Sequence, residues 1–147
     1  MVTIEISLLD GAATVPAYAT PGDAGCDLVA IESVRLEPRG GRGVVRTGVA
    51  LAIPEGFAGF IQPRSGLALR HGVTCLNTPG LIDSGYRGEI KVLLINTDPT
   101  SAFEIAPGER IAQLVIQKVE HASFDVVEAD ALSATERGEQ GFGSTGR

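Results

Sequence analysis

The chain has 147 residues, of which 44% are hydrophobic and 20% are charged. These values are typical of one globular domain with its own core, and they exclude a disordered chain; the apolar runs are too short to cross a bilayer. The net charge of −6 argues against a general nucleic-acid binder, because phosphate contacts need a basic face. A small phosphorylated ligand needs only a few local arginines and remains compatible with this charge.

The first ten residues, MVTIEISLLD, contain acidic residues and alternate between apolar and polar side chains. A signal peptide would instead have a basic patch followed by an apolar block. We therefore expect no signal peptide, no membrane association and a cytoplasmic protein. Alternating or continuous runs of β-branched residues predict strands at residues 2–6, 44–53, 89–95 and 111–119. Turn signals rich in glycine and proline separate these runs at the spacing of a β-sandwich or barrel.

Residues 65–71 are the one segment that predicts a helical turn or two, with Ser65 as a candidate N-cap. Arg64 precedes this segment, and helix N-termini favour anions, so the pair is a candidate phosphate site. A serine that caps the helix without any ligand is the plainer interpretation. Near residue 133 the composition changes toward a glycine-rich tail.

The two cysteines and the acidic residues of the sequence do not by themselves predict a metal site. Cys26 and Cys75 lie far apart without a CxxC pair, which favours buried free thiols over a zinc site or a disulfide. Asp23 and Asp27 flank a glycine, so they could meet Mg²⁺ directly or through water, or could equally form a solvated turn.

Residues 80–90, Gly-Leu-Ile-Asp-Ser-Gly-Tyr-Arg-Gly-Glu-Ile, predict a hairpin tip that holds a small flat ligand. In that interpretation Asp83 is a general base for a water and Tyr86 packs against a sugar. Asp, Ser and Gly are also ordinary turn residues. Gln113, on a predicted strand, either reaches a phosphate or faces solvent.

The tail from Arg137 to Arg147 combines one arginine near its start, an aromatic ring, four glycines and two hydroxyls. Glycines let successive backbone N–H groups turn toward a phosphate, and the aromatic ring offers a flat face to a base. The alternative is a frayed C-terminus without function.

Five segments, DAGCDL, PRSGLA, GLIDSGYRGEI, GERIAQLVI and RGEQGFGSTG, occur in this order from about residue 23 to the C-terminus. Together they resemble the five sequence motifs of the trimeric dUTP diphosphatases (dUTPases). The resemblance implies an all-β fold, a jelly-roll-like β-barrel over residues 1–136 that forms a homotrimer. Residues 137–147 would be a flexible lid that reaches a neighbouring subunit, and each active site would use all three subunits.

The same resemblance implies Mg²⁺-dependent hydrolysis of dUTP to dUMP and pyrophosphate, with water attacking the α-phosphorus. Such an activity limits uracil incorporation into DNA and supplies dUMP for dTMP synthesis. By similarity, Asp83 activates the water and Tyr86 stacks beneath the deoxyribose, leaving no room for a 2′-hydroxyl. Asn77 and the backbone of Leu81 and Ile82 would hydrogen-bond the uracil edge.

The resemblance assigns the phosphates and the metal to a second set of residues. Arg64, Ser65 and Gly66 would hold the phosphate chain, Gln113 would touch the α-phosphate, and Asp27 would bind Mg²⁺ through its waters.

In the tail, Arg137 would meet the γ-phosphate and Phe142 would stack over uracil. Gly143, Ser144 and Thr145 would wrap the β- and γ-phosphates. Lys91 matches a position that contacts substrate in bacterial members of the family, although a lysine just after a hairpin is usually solvated.

Two alternatives remain open from the sequence. One is a dCTP deaminase on a similar fold, and the other is a nucleotide-sensing regulator that uses this fold to bind a partner protein. Cys26 and Cys75 occupy positions that are usually apolar in the family, but neither has an assigned role.

Overall fold

A computed structural model describes residues 2–135 and 138–139 of the chain. These residues form eleven strands, one α-helix and one short 3-10 helix, Ala129–Ala131. The elements are β1 (Glu5–Leu8), β2 (Gly25–Val29), β3 (Val34–Leu36), β4 (Gly41–Arg46), β5 (Val49–Ala52), β6 (Phe57–Pro63), α1 (Ser65–His71), β7 (Val73–Cys75), β8 (Gly80–Ile82), β9 (Lys91–Asn96), β10 (Phe103–Ile105) and β11 (Arg110–Lys118). The predicted all-β fold is confirmed.

The largest sheet has four antiparallel strands in the order β2-β11-β6-β8. Its central strand β11 places Gln113 opposite Asp27 on one side and opposite Gln62 on the other. The sheet ends at β8, where Ile82 lies opposite Gly59. A second sheet has the order β4-β9-β7, and the pairs β1-β5 and β10-β3 complete the strand pairing.

One apolar core joins these sheets. Its largest fully buried side chains include Leu28, Leu36, Ile53, Ile90, Leu94, Ile105 and Ile111. Cys26 and Cys75 are buried free cysteines in the same core, so the prediction of buried thiols is confirmed. Burial raises the pKa of Cys75 to about 11, which keeps this thiol protonated and unreactive at neutral pH.

The predicted strand at residues 44–53 is wrong as a single element. It is two strands, β4 and β5, that are interrupted at Thr47 and Gly48. Gly48 has a φ of 67°, and a Cβ there would lie 2.7 Å from the Cβ of Ala13. Only glycine fits this left-handed, crowded position. The chain therefore turns at Gly48, although the hydrophobic pattern of the sequence predicts that the strand continues.

Strand β6 does not appear among the strands predicted from the sequence. It contains Gly59 and ends at Pro63, and both residue types weaken a strand pattern. A Cβ on Gly59 would lie 3.0 Å from Leu114 and 3.1 Å from Ile53. The glycine lets these side chains approach β6 closely, a tertiary feature that a local pattern does not reveal.

The predicted helix at residues 65–71 is confirmed, but the predicted cap is wrong. Ser65 is the first helical residue, and the N-cap position belongs to Arg64, which has extended backbone and makes no side-chain capping bond. Because β6 ends at Pro63, Arg64 is the single link between strand and helix. This connection places Arg64, Ser65 and Gly66 together at one end of the four-stranded sheet.

Candidate active site

A pocket of about 450 Å³ lies beside β8 and the turn that follows it. We call it the hairpin pocket, after the hairpin predicted at residues 80–90. That prediction is wrong as a pairing, because β8 pairs with β6 whereas β9 pairs with β4 and β7, so residues 83–90 connect two sheets. Six of its lining residues are candidates from the sequence: Asn77, Leu81, Ile82, Asp83, Tyr86 and Lys91. Val44, Glu89, Ile90 and Leu93 complete the wall. Residues that the resemblance assigns to base, sugar and attacking water therefore share one cavity.

Strand β8 gives the hairpin pocket its hydrogen-bonding capacity. One backbone edge of β8 pairs with β6, and the sheet order among the described strands ends there. On the other edge, the backbone N–H and C=O groups of β8 that do not point toward β6 are available to a ligand in the pocket, because successive residues of an antiparallel strand direct these groups to alternate edges. Such an edge offers fixed donors and acceptors to a planar base.

The turn after β8 presents Asp83 and Tyr86. The backbone N–H of Tyr86 donates to the carbonyl oxygen of Asp83 at 3.1 Å, which closes the turn. Arg87 supports the same turn by donating to the carbonyl oxygens of Ser84 and Tyr86 at 2.6 and 2.8 Å. The Asp83 side chain is exposed and lines the pocket, so its carboxylate is open to a water molecule.

A second group of polar residues surrounds Asp27 on the four-stranded sheet. Its oxygens lie 3.4 Å from Arg64 Nε, 3.1 Å from an Arg110 guanidinium nitrogen and 3.4 Å from Gln113 Nε2. We call these four residues the Asp27 cluster. Asp27 is only 8% exposed, and two arginines against one carboxylate leave a net positive charge that suits a phosphate.

Arg110 was not singled out from the sequence, although it lies inside the motif GERIAQLVI. In a regular strand, residues three apart point to opposite faces, so Arg110 and Gln113 would not be expected together. The pairing of β11 with β2 shifts register between Arg110 and Ala112. This bulge brings both side chains to Asp27, and a bulge of this kind has no clear sequence signal.

The Asp27 cluster offers a single carboxylate to a Mg²⁺ ion. No group of three or more His, Cys, Asp or Glu side chains that could hold a metal occurs among residues 2–135 and 138–139. Asp23 instead caps a turn, accepting bonds from Thr20 at 2.8 and 2.6 Å. Mg²⁺ commonly keeps several waters and is held by one or two carboxylates plus substrate phosphates. Both Asp27 oxygens already face an arginine, so Asp27 suits contact through water with a Mg²⁺ that arrives with phosphates, and not a site made of protein ligands alone.

Within one chain, Asp83 and the Asp27 cluster lie toward opposite ends of β6. Ile82 is opposite Gly59, so Asp83 follows at the level of Ala58, whereas Arg64 lies six residues further along the strand direction. At about 3.3 Å per residue, the two backbone positions are roughly 20 Å apart. One chain does not bring Asp83 to a phosphate that its own Arg64 holds.

The tail candidates Arg137, Phe142, Gly143, Ser144 and Thr145 lie outside the described residues, and their roles stay predictions. In the part of the chain that is described, no helix has the length and apolar character needed to span a membrane.

Comparison with known proteins identifies the family. A family model described as dUTPase matches residues 12–146. The deoxyuridine 5′-triphosphate nucleotidohydrolase of Thermobifida fusca is 59% identical, over 99% of this chain and 79% of the relative, and that of Leifsonia xyli is 52% identical, over 98% and 91%. A dUTPase variant of Staphylococcus bacteriophage 80alpha, solved with dUpNHpp, superposes with a TM-score of 0.89 at 31% identity and covers 100% of both chains. The chain belongs to the dUTPase family.

Proposed function

We propose that this chain hydrolyses dUTP to dUMP and pyrophosphate. The observation that carries the proposal is the hairpin pocket, which collects Asn77, Asp83 and Tyr86 beside the open edge of β8. The names of the relatives and the dUTP analogue bound to the phage enzyme support the same substrate.

Base selection follows from the edge of β8. The backbone of Leu81 and Ile82 would hydrogen-bond the uracil, together with the side chain of Asn77. Cytosine presents a donor where uracil presents an acceptor, so each mismatched buried group would cost about 1 to 3 kcal/mol. Tyr86 beneath the sugar would leave no space for a ribose hydroxyl, and Lys91 at the mouth of the pocket would contact the nucleotide.

The Asp27 cluster would hold the phosphates. Arg64, Ser65 and Gly66 follow the end of β6 and would donate hydrogen bonds to the phosphates. Gln113 and Arg110 lie on β11 and would donate from that strand. Asp27 would hold Mg²⁺ through water. When bound, Mg²⁺ would supply positive charge to the triphosphate and the leaving pyrophosphate.

Asp83 would accept a proton from the water that attacks the α-phosphorus. A general base must lie within hydrogen-bond reach of that water, and the separation of roughly 20 Å along β6 prevents this within one chain. We therefore propose that the Asp27 cluster of one copy completes the hairpin pocket of another, within a homotrimer.

Exposed apolar residues support association between copies. In β1 and the segments that follow, Ile6, Leu8, Leu9, Val15 and Tyr18 are exposed. Beyond β11, residues 119–128 form no helix or strand, and Phe124 and Val126 are 88% and 99% exposed. Large contiguous apolar surface is typical of protein interfaces.

The remaining proposals concern the C-terminus. Residues 1–136 would form the catalytic domain and residues 137–147 a lid over a neighbouring site. Arg137 and Phe142 would close on the γ-phosphate and the uracil, and Gly143, Ser144 and Thr145 would wrap the phosphates.

A substrate panel tests the proposed function. With Mg²⁺, the protein should release pyrophosphate from dUTP at least about 100-fold more efficiently than from dTTP, dCTP or UTP, because each competitor loses a hydrogen bond or meets a steric barrier. Initial rates of pyrophosphate release measure this, and excess EDTA should abolish the rate with dUTP. Comparable rates on all four nucleotides, or ammonia release from dCTP, would contradict the proposal.

A further inference from the structure

Tyr86 is held in place by the two residues that precede Ile90. Its hydroxyl donates to the carbonyl oxygen of Glu89 at 3.0 Å. Its ring covers Gly88, where an added Cβ would lie 2.6 Å from Tyr86 Cζ and 3.0 Å from Cε2. The ring therefore occupies the space that any side chain at position 88 would need.

Glu89 is itself fixed to the turn between β4 and β5. Its carboxylate, 13% exposed, accepts from Arg46 Nε at 3.1 Å and from the backbone N–H of Gly48 at 3.0 Å. One donor, Arg46 Nε, is shared between both oxygens of this carboxylate at 3.1 Å each. The Glu89 backbone, which receives the Tyr86 hydroxyl, is thus tied to a rigid part of the fold.

The next residue strengthens this attachment. The backbone N–H of Ile90 donates to the carbonyl oxygen of Val49 at 2.7 Å, and the Thr47 hydroxyl donates to the carbonyl oxygen of Ile90 at 2.6 Å. Thr47 and Ile90 are 1% and 0% exposed. Buried hydrogen bonds of this kind fix the backbone at Glu89 and Ile90, and with it the carbonyl oxygen that accepts from the Tyr86 hydroxyl.

We infer that Gly88 and Glu89 are positioning residues that set the height of the Tyr86 ring beneath the sugar, and through it the discrimination between deoxyribose and ribose nucleotides. The inference rests on the proposed function. Exclusion of a single hydroxyl depends on placing a ring to within a fraction of an ångström. Gly88 lets the ring approach the backbone, and Glu89 holds the hydroxyl that keeps it there.

The test compares Gly88→Ala with Gly85→Ala. Both glycines lie in the segment between β8 and β9, but a Cβ at Gly85 has no heavy atom within 4 Å among the described residues. We expect Gly88→Ala to lower the ratio of kcat/KM for dUTP to that for UTP at least tenfold. Gly85→Ala should keep the ratio within twofold. An equal loss with both substrates in Gly88→Ala would overturn the inference.

A second variant covers the case in which Gly88→Ala fails to fold. Glu89→Gln keeps the side-chain shape but removes the charge that faces Arg46. We expect it to lower the same ratio several-fold, while Glu37→Gln, which removes the charge facing the exposed Arg35, should not change it. An unchanged ratio in Glu89→Gln would contradict the role of Glu89.

A fluorescence measurement separates this inference from the proposed function. The chain has no tryptophan and two tyrosines, Tyr18 and Tyr86, so in a Tyr18→Phe background Tyr86 is the one emitter. We expect Gly88→Ala, and not Gly85→Ala, to change Tyr86 emission intensity and its quenching by acrylamide. A wild-type protein without activity on dUTP would refute the proposed function, while unchanged emission in Gly88→Ala would refute the positioning of Tyr86.

Discussion

Replacing Asp83 by Asn should lower kcat for dUTP by about 10²- to 10⁴-fold, the range that a positioned general base contributes. The asparagine amide has nearly the shape of the carboxylate but cannot accept a proton from water. Asp83 follows β8 and its side chain lines the hairpin pocket. Because the other pocket residues are untouched, the variant should still bind the nucleotide.

Steady-state kinetics and equilibrium binding of a non-hydrolysable dUTP analogue check this result together. Glu55→Gln is the matched control, since Glu55 is an exposed carboxylate in the turn between β5 and β6. Its kinetics should equal those of the wild type. An Asp83→Asn variant with wild-type kcat would show that another group activates the water.

Replacing Arg64 by Ala should lower kcat/KM by about 10- to 100-fold, because a hydrogen bond to a charged group contributes about 1.5 to 3 kcal/mol. Arg64 lies at the end of β6, and its Nε is 3.4 Å from Asp27. Removing its guanidinium takes away the proposed phosphate donor and also one partner of the buried Asp27 carboxylate. Arg110 and Gln113 remain beside Asp27 and should preserve the fold.

Kinetics with dUTP, accompanied by thermal unfolding, measure the effect of Arg64→Ala. Arg42→Ala serves as the control, because Arg42 is an exposed arginine on β4, in the other sheet. A lowered unfolding temperature with unchanged kcat/KM would assign Arg64 to stability alone.

Much of the fold and many site residues could be predicted from the sequence where the signal is local. The helix at residues 65–71 has the predicted bounds, and the strand predicted at 111–119 corresponds to Arg110–Lys118. Asn77, Asp83 and Tyr86, which the motifs propose, do line one pocket. Short motifs are informative here because most residues that line the pocket come from one continuous segment, residues 77–93.

Features that depend on distant contacts could not be predicted in this way. Arg110 joins Asp27 only because of a bulge in β11. The break at Gly48 reflects crowding against Ala13, and in β6 Gly59 allows the close approach of Leu114. Each of these features depends on a contact with residues far away in the sequence, so a local hydrophobic pattern does not predict it.

The placement of the two halves of the site also follows from tertiary structure. The motifs put Arg64 and Asp83 only 19 residues apart, which by itself is compatible with one shared site. The antiparallel pairing of β6 with β8 sends them to opposite ends of the same strand. The central claim of the proposed mechanism is therefore that a second copy of the chain completes each site.

Co-assembly of Asp83→Asn with Arg64→Ala tests that claim most directly. The two variants, carrying different affinity tags, are co-expressed, and mixed oligomers are isolated through both tags. If a site takes Asp83 from one copy and Arg64 from the next, every mixed trimer has one site of three with both residues intact, so the isolated mixed trimers should show about a third of the wild-type activity. Activity no higher than that of the separate variants would contradict a site shared between copies.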